Sequence, residues 1–485
     1  MSKAFKHHDS VSDQSDPMDS SNKGLDKYLI ATAFIAALST FNSGLNSSVA
    51  NIPEKTIHVC KDAIIDIYGL PSCLDANATT WGLVTAMFAL GGGFGALTCG
   101  QSLQMIGRKN TLMANNLLFI LGGLLIATSR EYGQFGVGRF IVGLASGAAS
   151  VSVSTYIGEV SPNKGRGAMG TVLQLMTVVG ILVAQIISLF MNKPDLWRFL
   201  FALTVIPSAL QIVLLFLCVE SPRFLASKNN FEGARTSLAK LRSGFNIDNE
   251  LSCILDGQRG SKGEGEVEKP PTMVESTREL FADKVQFKYL MMAFTLHALQ
   301  QLSGINAAIF FSTSYLTTAL GNEEYATYGT IGMGVLNLIV TIISVFAVDR
   351  LGRKLLLLIA LFGMTAMSVI IVIGAAFKVT ILAIAGIVLF VGSFAIGMGS
   401  VPWLIMPEIF PTRTLAAASA MCMGLNWMCN FVVSFVFGPM ADQLGDYTFT
   451  VFAVINALGF FFVLVFVPET KGRSIEEILG TNPSN

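Results

Sequence analysis

Charge is what this sequence has least of. Asp, Glu, Lys and Arg make up 13% of its 485 residues, and 32 basic side chains balance 32 acidic ones. A chain with no net charge carries no electrostatic footprint for nucleic acid, which excludes that class of partner. Its four histidines and seven cysteines show no metal-ligand spacing, and no nucleophile, base and orienting group stand together, so neither an enzyme nor a cofactor is expected. The first 26 residues, "MSKAFKHHDSVSDQSDPMDSSNKGLD", lack an apolar core, so no cleavable leader is read there and a disordered tail is expected.

Apolar residues take the place of charge. They make up 52% of the chain, and the mean hydropathy of +0.60 is far from that of a soluble domain. Runs of about 20 apolar residues are long enough to cross a bilayer as helices. Twelve are read, at 28–50, 81–103, 110–129, 134–157, 168–191, 197–219, 289–316, 326–348, 355–377, 379–403, 414–439 and 446–467. The fold class expected is an all-α membrane protein whose partner is the lipid bilayer. With the N-terminus inside, 25 of the 32 Lys and Arg fall on the inner side and 6 on the outer. That bias places both termini in the cytoplasm.

The first outer segment, 51–80, holds "NAT" at Asn77, a glycosylation acceptor if that face is extracellular. Cys60 and Cys73 share the segment, where an oxidising environment permits either a bridge or two free thiols.

Three charged clusters recur at nearly constant offset. "GRK" at 107–109 returns at 352–354, an offset of 245; Glu159 in "GEVSPNKGR" and Glu408 in "MPEIFPTR" are 249 apart, as are Glu220 in "ESPR" and Glu469 in "ETKGR". The chain reads as a duplicated six-span unit. Parallel repeats of this kind build one class of secondary transporter, with the substrate held at the midplane between halves. The divisions expected are a tail at 1–26, a six-helix bundle at 27–220, a cytoplasmic linker with short helices at 221–288, a second bundle at 289–468 and a cytoplasmic end at 469–485.

In the linker, "FEGARTSLAKLRSG" and "MVESTRELFADKVQFK" have helical spacing, while "DGQRGSKGEGEVEK" between them reads as flexible. Together they form a small helical cap. The inner acids Glu159, Glu220, Asp349, Glu408 and Glu469 lie near Arg108, Arg166, Arg223, Arg350, Arg353, Arg413 and Arg473. Topology signals alone account for the arginines but not for the acids. Ion pairs between helices, made when the inner mouth closes and broken when it opens, account for both.

Amides are the other anomaly. "QQLSGIN", 300–306, lies within the seventh span, where an unpartnered amide costs several kcal/mol. On an ideal helix Gln301 and Asn306 point about 140° apart. Either the helix is interrupted near Ser303-Gly304, or the two serve different neighbours. Interhelical hydrogen bonding is the plainer role for them. Gly397, Gly399 and Pro402 in "IGMGSVPW" weaken the tenth span in the same way and fit a hinge, whereas "GGGFGALTCG" at 91–100 fits close helix packing.

These residues resemble the sugar porters of the major facilitator superfamily, and within them the facilitative glucose transporters. "GRFIVGLASG", "GEVSP", "ESPRFL", "QQLSGIN", "DRLGRK", "PETKGR" and the Trp of "VPW" stand in family order, and the likeness runs from Tyr28 to Ile478. It implies a twelve-helix major facilitator fold in the plasma membrane, with no obligate protein partner, moving D-glucose or a related hexose. It assigns sugar binding to Gln174, Gln300, Gln301, Asn306, Asn337 and Trp403. Neutral amides both donate and accept, as hydroxyls do, and an indole offers a ring face to the C–H face of a sugar.

Coupling to protons requires an ionisable group in the path. Span interiors hold only Arg139 and His297, and proton-coupled relatives have an Asp where this chain has Asn46. Passive transport is expected; a proton-coupled symporter using His297, or a sensor that binds sugar without moving it, are the alternatives. Departures from the family pattern are Gln104-Met105 before the first "GR", Ala395 in place of a Glu, Phe310 and Phe311 in place of tyrosines, and His297-Ala298-Leu299 before the paired glutamines.

Overall fold

The computed structural model describes residues 26–58, 60, 66–67, 69–75, 78–162, 166–243, 246–259, 272–310, 316–317, 321–473 and 477–478. Asn77 lies outside them, as do residues 1–25 and the side chains of Arg166 and Asp349.

The first half contains α1 (Lys27–Ser48), a short α2 (Glu54–His58), α3 (Ala78–Ile106), α4 (Arg108–Ala127), α5 (Tyr132–Val160) and α6 (Arg166–Met191). Its sixth crossing is α7 (Trp197–Ala202) followed by α8 (Val205–Leu215). Asp26, expected in the tail, is ordered and caps α1 by accepting from the Tyr28 N–H. After four short helices, α9 (Pro222–Ser227), α10 (Phe231–Leu241), α11 (Asp248–Arg259) and α12 (Met273–Ala282), the second half begins. It contains α13 (Lys284–Leu302), α14 (Ile305–Phe310), α15 (Glu323–Leu351), α16 (Arg353–Ala376), α17 (Thr380–Ile396), α18 (Val401–Ile409), α19 (Thr412–Leu444) and α20 (Thr448–Phe466).

Among the described residues, ten helical runs are long and apolar enough to cross a membrane. The run Arg413–Phe466 holds two crossings, α19 and α20, joined by a 3-10 turn at Gly445–Tyr447. The remaining crossing is the broken pair α13 and α14, which completes the twelve expected. Large apolar side chains such as Phe216 and Phe362 stand 70% and 66% exposed on the outer surface of the bundle, as a lipid-facing surface requires.

The recurring "GRK" has a backbone cause. Gly107 (φ 90°, ψ 174°) precedes α4, and Gly352 (φ 85°, ψ 168°) precedes α16; this region is open essentially to glycine alone. A Cβ at Gly107 would lie 2.5 Å from Glu220 Oε2, and one at Gly352 would lie 2.5 Å from Glu469 Oε2. The two glycines therefore let the chain turn and let a carboxylate approach. Gly91 and Gly95 act differently: a Cβ on either would strike the backbone of α5, at Phe140 and Leu144, so α3 and α5 meet backbone to backbone.

Buried apolar side chains group by half. One cluster draws only on residues from Leu280 to Ile478, and two others draw on residues from Leu29 to Leu241, joined by Met423 and Trp427 of α19.

The linker departs from expectation twice. "DGQR" at 256–259, read as flexible, belongs to α11, and Leu251 and Ile254 give that helix too few apolar positions to be seen in the sequence. The segment read as one helix from Met273 is two, because Asp283 (ψ 112°) ends α12 and then caps α13 by accepting from the Val285 and Gln286 N–H groups. The capping box at Thr272 and Glu275 fixes the start of α12.

After the outer end of α1, Cys60 and Cys73 form a disulfide with Cα atoms 5.8 Å apart. Beside it lies a two-residue antiparallel ladder of β1 (Asp66–Ile67) and β2 (Leu70–Pro71), turning at Gly69. The loop is tied to the bundle through carbonyls: Trp197 Nε1 donates to Ser72 O at 2.9 Å, Arg198 to Pro71 O at 2.8 Å, and Tyr132 Oη to Leu74 O.

Candidate substrate-binding site

The seventh crossing breaks where its amides require it to. After α13 ends at Leu302, Gly304 takes φ +94° and α14 begins at Ile305. The break rotates Asn306 back toward Gln301, and Asn306 Nδ2 donates directly to Gln301 Oε1. The 140° conflict of a continuous helix is thereby removed. Phe452 of α20 presses on the break, leaving no room for a Cβ at Gly304: it would lie 2.6 Å from Phe452 Cγ.

The tenth crossing breaks opposite, between Ile396 and Val401, and frees backbone carbonyls. Gln300 Nε2 donates to two of them, Met398 O at 2.6 Å and Gly399 O at 3.3 Å. Ser344 Oγ donates to a third, Ile396 O, at 2.7 Å. The amides of "QQLSGIN" are thus bonded partly to the broken backbone of the tenth crossing. Their remaining partner is Asn426 on α19, which donates to Gln300 Oε1 at 2.8 Å and to His297 O at 3.0 Å, and accepts from Gln301 Nε2 at 2.8 Å.

This network lines one cavity of about 150 Å³ between the two halves. All six residues singled out for sugar binding, Gln174, Gln300, Gln301, Asn306, Asn337 and Trp403, reach it. The first half adds Thr40, Phe88, Ser146 and Ser150, and the second adds Asn426, Trp427 and Asn430. Those last three were missed in the sequence. The signal was present, since "NWMCN" at 426–430 sets two amides and an indole in an apolar span as "QQLSGIN" does. Among the described residues the lining carries hydroxyls, amides and aromatic rings and no charged side chain. Such a lining can bind a neutral, many-hydroxyl ligand and offers nothing to compensate an ion.

His297 lies fully buried behind the wall, its ring edge-on to Trp403 at 5.5 Å. Arg139 is 2% exposed; it donates to Asn46 O at 2.7 Å and lies 4.6 Å over the Phe88 ring. The Asn46 side chain turns elsewhere, donating to Asn42 O and accepting from Thr204 Oγ1 at 3.0 Å. Arg139 is therefore held by a carbonyl and a π face.

The charged clusters form two matching sites on the face where α1 begins and α20 ends. Arg108 pairs with Glu159 at 2.6 Å, and Arg353 with Glu408 at 2.7 Å. Glu159 also accepts from Ser221 Oγ, and Glu408 from Thr470 Oγ1 at 2.6 Å. Glu220 accepts from the backbone of Arg108 at 3.0 Å and Lys109 at 3.1 Å, and Glu469 from Arg353 at 2.9 Å and Lys354 at 3.1 Å. Each set closes within one half. Two inter-helical pairs of the expected set, Arg108–Glu159 and Arg353–Glu408, are present, and neither bridges the halves.

Arg223 is half-buried in the first turn of α9, Arg350 and Arg473 are exposed, and Arg413 pairs with Glu279 of α12 at 2.7 Å.

Broken helices meeting at a polar cavity between two six-helix halves define a membrane transporter of the major facilitator fold. The chain matches the family model "Sugar (and other) transporter" over residues 29–479 and belongs to that family. It is 38% identical to the solute carrier family 2, facilitated glucose transporter member 4 of Mus musculus, over 93% of this chain and 90% of that one. Against facilitated glucose transporter member 1 of Gallus gallus it is 35% identical, over 95% and 94%. The fold is similar to that of the proton:xylose symporter XylE bound to 6-bromo-6-deoxy-D-glucose, with a TM-score of 0.79 and 24% identity, covering 94% of this chain and 99% of that one. The partially occluded inward open xylose transporter XylE from E. coli superposes with a TM-score of 0.73 at 24% identity, covering 93% and 100%.

Proposed function

We propose that the protein carries a neutral hexose, D-glucose first among them, down its gradient across the plasma membrane by alternating access, with both termini cytoplasmic. The observation that carries this reading is the cavity of amides, hydroxyls and indoles, with no charged side chain among the described residues, at which the halves meet along two broken crossings. In this reading Gln174, Gln300, Gln301, Asn306, Asn337 and Trp403 contact the sugar, with Asn426 and Asn430 beside them. The breaks at Gly304 and Gly397 let short helical segments move against the rest of the second half.

Uniport is supported by Arg139, whose donor meets the carbonyl of Asn46 and no carboxylate among the described residues. The clusters of Glu159 and Glu408 are proposed to hold the helix ends of each half together, so that each half rocks as a unit. Asn77 is proposed as a glycosylation site on the outer face.

A second reading, proton-coupled symport, draws on His297, the ionisable group at the back of the cavity wall. Uptake of radiolabelled D-glucose into proteoliposomes, with and without an imposed proton gradient, separates the two. Saturable uptake that equilibrates and ignores the gradient is expected. Uphill accumulation would replace uniport by symport, and no uptake of glucose would overturn the substrate.

A further inference from the structure

Two hydroxyls on the cavity wall have no use in the fold itself. A serine or threonine inside a helix can satisfy its hydroxyl by donating to a carbonyl three or four residues back. Four side chains of the lining do so: Thr40 to Ala37 O at 2.8 Å, Ser47 to Gly44 O at 2.8 Å, Ser150 to Gly147 O at 2.7 Å and Thr177 to Leu173 O at 2.9 Å. Ser146 and Ser400 line the same cavity, are 0% and 4% exposed, and bond to no partner among the described residues.

Each leaves unused the partner that its position offers. Ser146 stands one turn before Ser150 on α5, within reach of the same kind of carbonyl, and does not take it. Ser400 is the residue before α18, where a serine side chain ordinarily accepts from the second or third N–H of the helix. It makes no such bond, and the second residue, Pro402, has no N–H to give. An unmatched buried hydroxyl destabilises the empty protein, and alanine at either position would not.

The two lie on opposite halves. Beside Ser400 the halves touch, since a Cβ on Gly399 would lie 3.3 Å from Gln174 Nε2 of α6. Beside Ser146 they touch again, where Ser150 accepts from Trp427 Nε1 of α19 at 3.5 Å. A ligand in the cavity that pairs with both serines is therefore held by both halves at once. Each serine hydroxyl donates once and accepts twice, so the group that matches it fully is another hydroxyl.

We propose, on the sugar-binding reading above, that Ser146 and Ser400 each take a different hydroxyl of the bound hexose, one from each half. The pair then sets which hydroxyls a sugar must carry to be accepted, because a site built to bond a hydroxyl rejects the analogue that lacks it.

Binding of D-glucose and of its monodeoxy analogues, each lacking one hydroxyl, to the purified protein tests this without transport, read as the ligand-induced rise in Tm. Ser146→Ala is expected to weaken glucose about three- to tenfold, the effect of one neutral hydrogen bond, and to abolish the wild-type discrimination against one analogue. Ser400→Ala does the same against a different analogue. Without sugar neither variant loses Tm, because alanine removes an unmatched hydroxyl, and this sign separates a ligand contact from a packing role. Ser146→Cys and Ser400→Cys, which keep the shape with a weak donor, give the same pattern should an alanine variant misfold. Wild-type discrimination retained in the variants, or a lower Tm with unchanged affinity, overturns the assignment and leaves the hexose reading standing. A wild-type protein that binds no hexose overturns both.

Discussion

Asn426 Nδ2 donates to Gln300 Oε1 at 2.8 Å, while Asn426 Oδ1 accepts from Gln301, so one amide on α19 sets both glutamines of the seventh crossing. Asn426→Leu strands three groups, Gln300 Oε1, Gln301 Nε2 and the His297 carbonyl, against two for Gln301→Leu, at a cost of about 1–3 kcal/mol each. A rise in KM for sugar of about tenfold is expected, with a lower Tm. Gln301→Leu also raises KM but strands fewer groups, and its Tm falls less. Uptake kinetics and thermal unfolding of the two variants check the order, and a lower Tm with unchanged KM in both would reduce the amides to interhelical hydrogen bonding.

Gly304→Ala confronts two obstacles, the φ of +94° and the Phe452 ring 2.6 Å from the new Cβ. Adding Phe452→Leu relieves the second and leaves the first, so the double variant recovers part of the loss. Backbone strain alone accounts for about 1–3 kcal/mol. Thermal unfolding of the single and double variants is the check, and no recovery would locate the whole defect in the backbone.

Glu408 takes two guanidinium N–H groups of Arg353 and the Thr470 hydroxyl. Glu408→Gln removes the carboxylate charge from the pair with Arg353, which is 6% exposed. If each half moves as a unit, the maximal rate falls more than the amount of folded protein, by about tenfold for each 1.4 kcal/mol added to the barrier. Surface expression and turnover measured together test this; equal loss of both would make the pair a matter of stability alone.

The two half-buried acids Glu220 and Glu469 titrate in opposite senses. Burial pushes the Glu220 carboxyl above its ordinary 4.5 despite N–H donors from Ser221, Lys109 and Arg108. Burial also opposes ionisation of Glu469, but the N–H groups of Arg353, Lys471 and Lys354 outweigh it and hold that carboxyl below 4.5. The stabilisation linked to Glu220 is full below 4.5 and is lost as pH rises through its raised value. That linked to Glu469 is present above 4.5 and is lost as pH falls through its lowered one. At neutral pH Glu469→Gln is therefore expected to lower Tm more than Glu220→Gln, the gap closing on acidification. Thermal unfolding of both variants over that pH range decides it.

The Cys60–Cys73 disulfide closes a separation of 13 residues, and loops of that size gain about 3 kcal/mol. Cys60→Ser, or reductant on the wild-type protein, is expected to lower Tm by several degrees. An unchanged Tm would mean that the carbonyl contacts to Trp197 and Arg198 suffice to hold the loop.

The sequence by itself determined the twelve crossings and the internal repeat, because each crossing must satisfy its own backbone within about 20 residues and its apolar pattern is local. It also determined that "QQLSGIN" needed partners and that a continuous helix could not serve both Gln301 and Asn306. Which remedy the chain uses was decided by tertiary structure. Phe452, about 150 residues beyond Gly304, presses on the break, and the tenth crossing opens its own backbone to receive Gln300. Asn426, Trp427 and Asn430 escaped notice because an amide in an apolar span marks a need for a partner without naming the helix that supplies it. The ion pairs were legible as acids and bases near one another, yet only the folded chain shows that each closes within its own half. Nothing in a linear pattern states which helix ends share a face, since that follows from how the six crossings of each half pack.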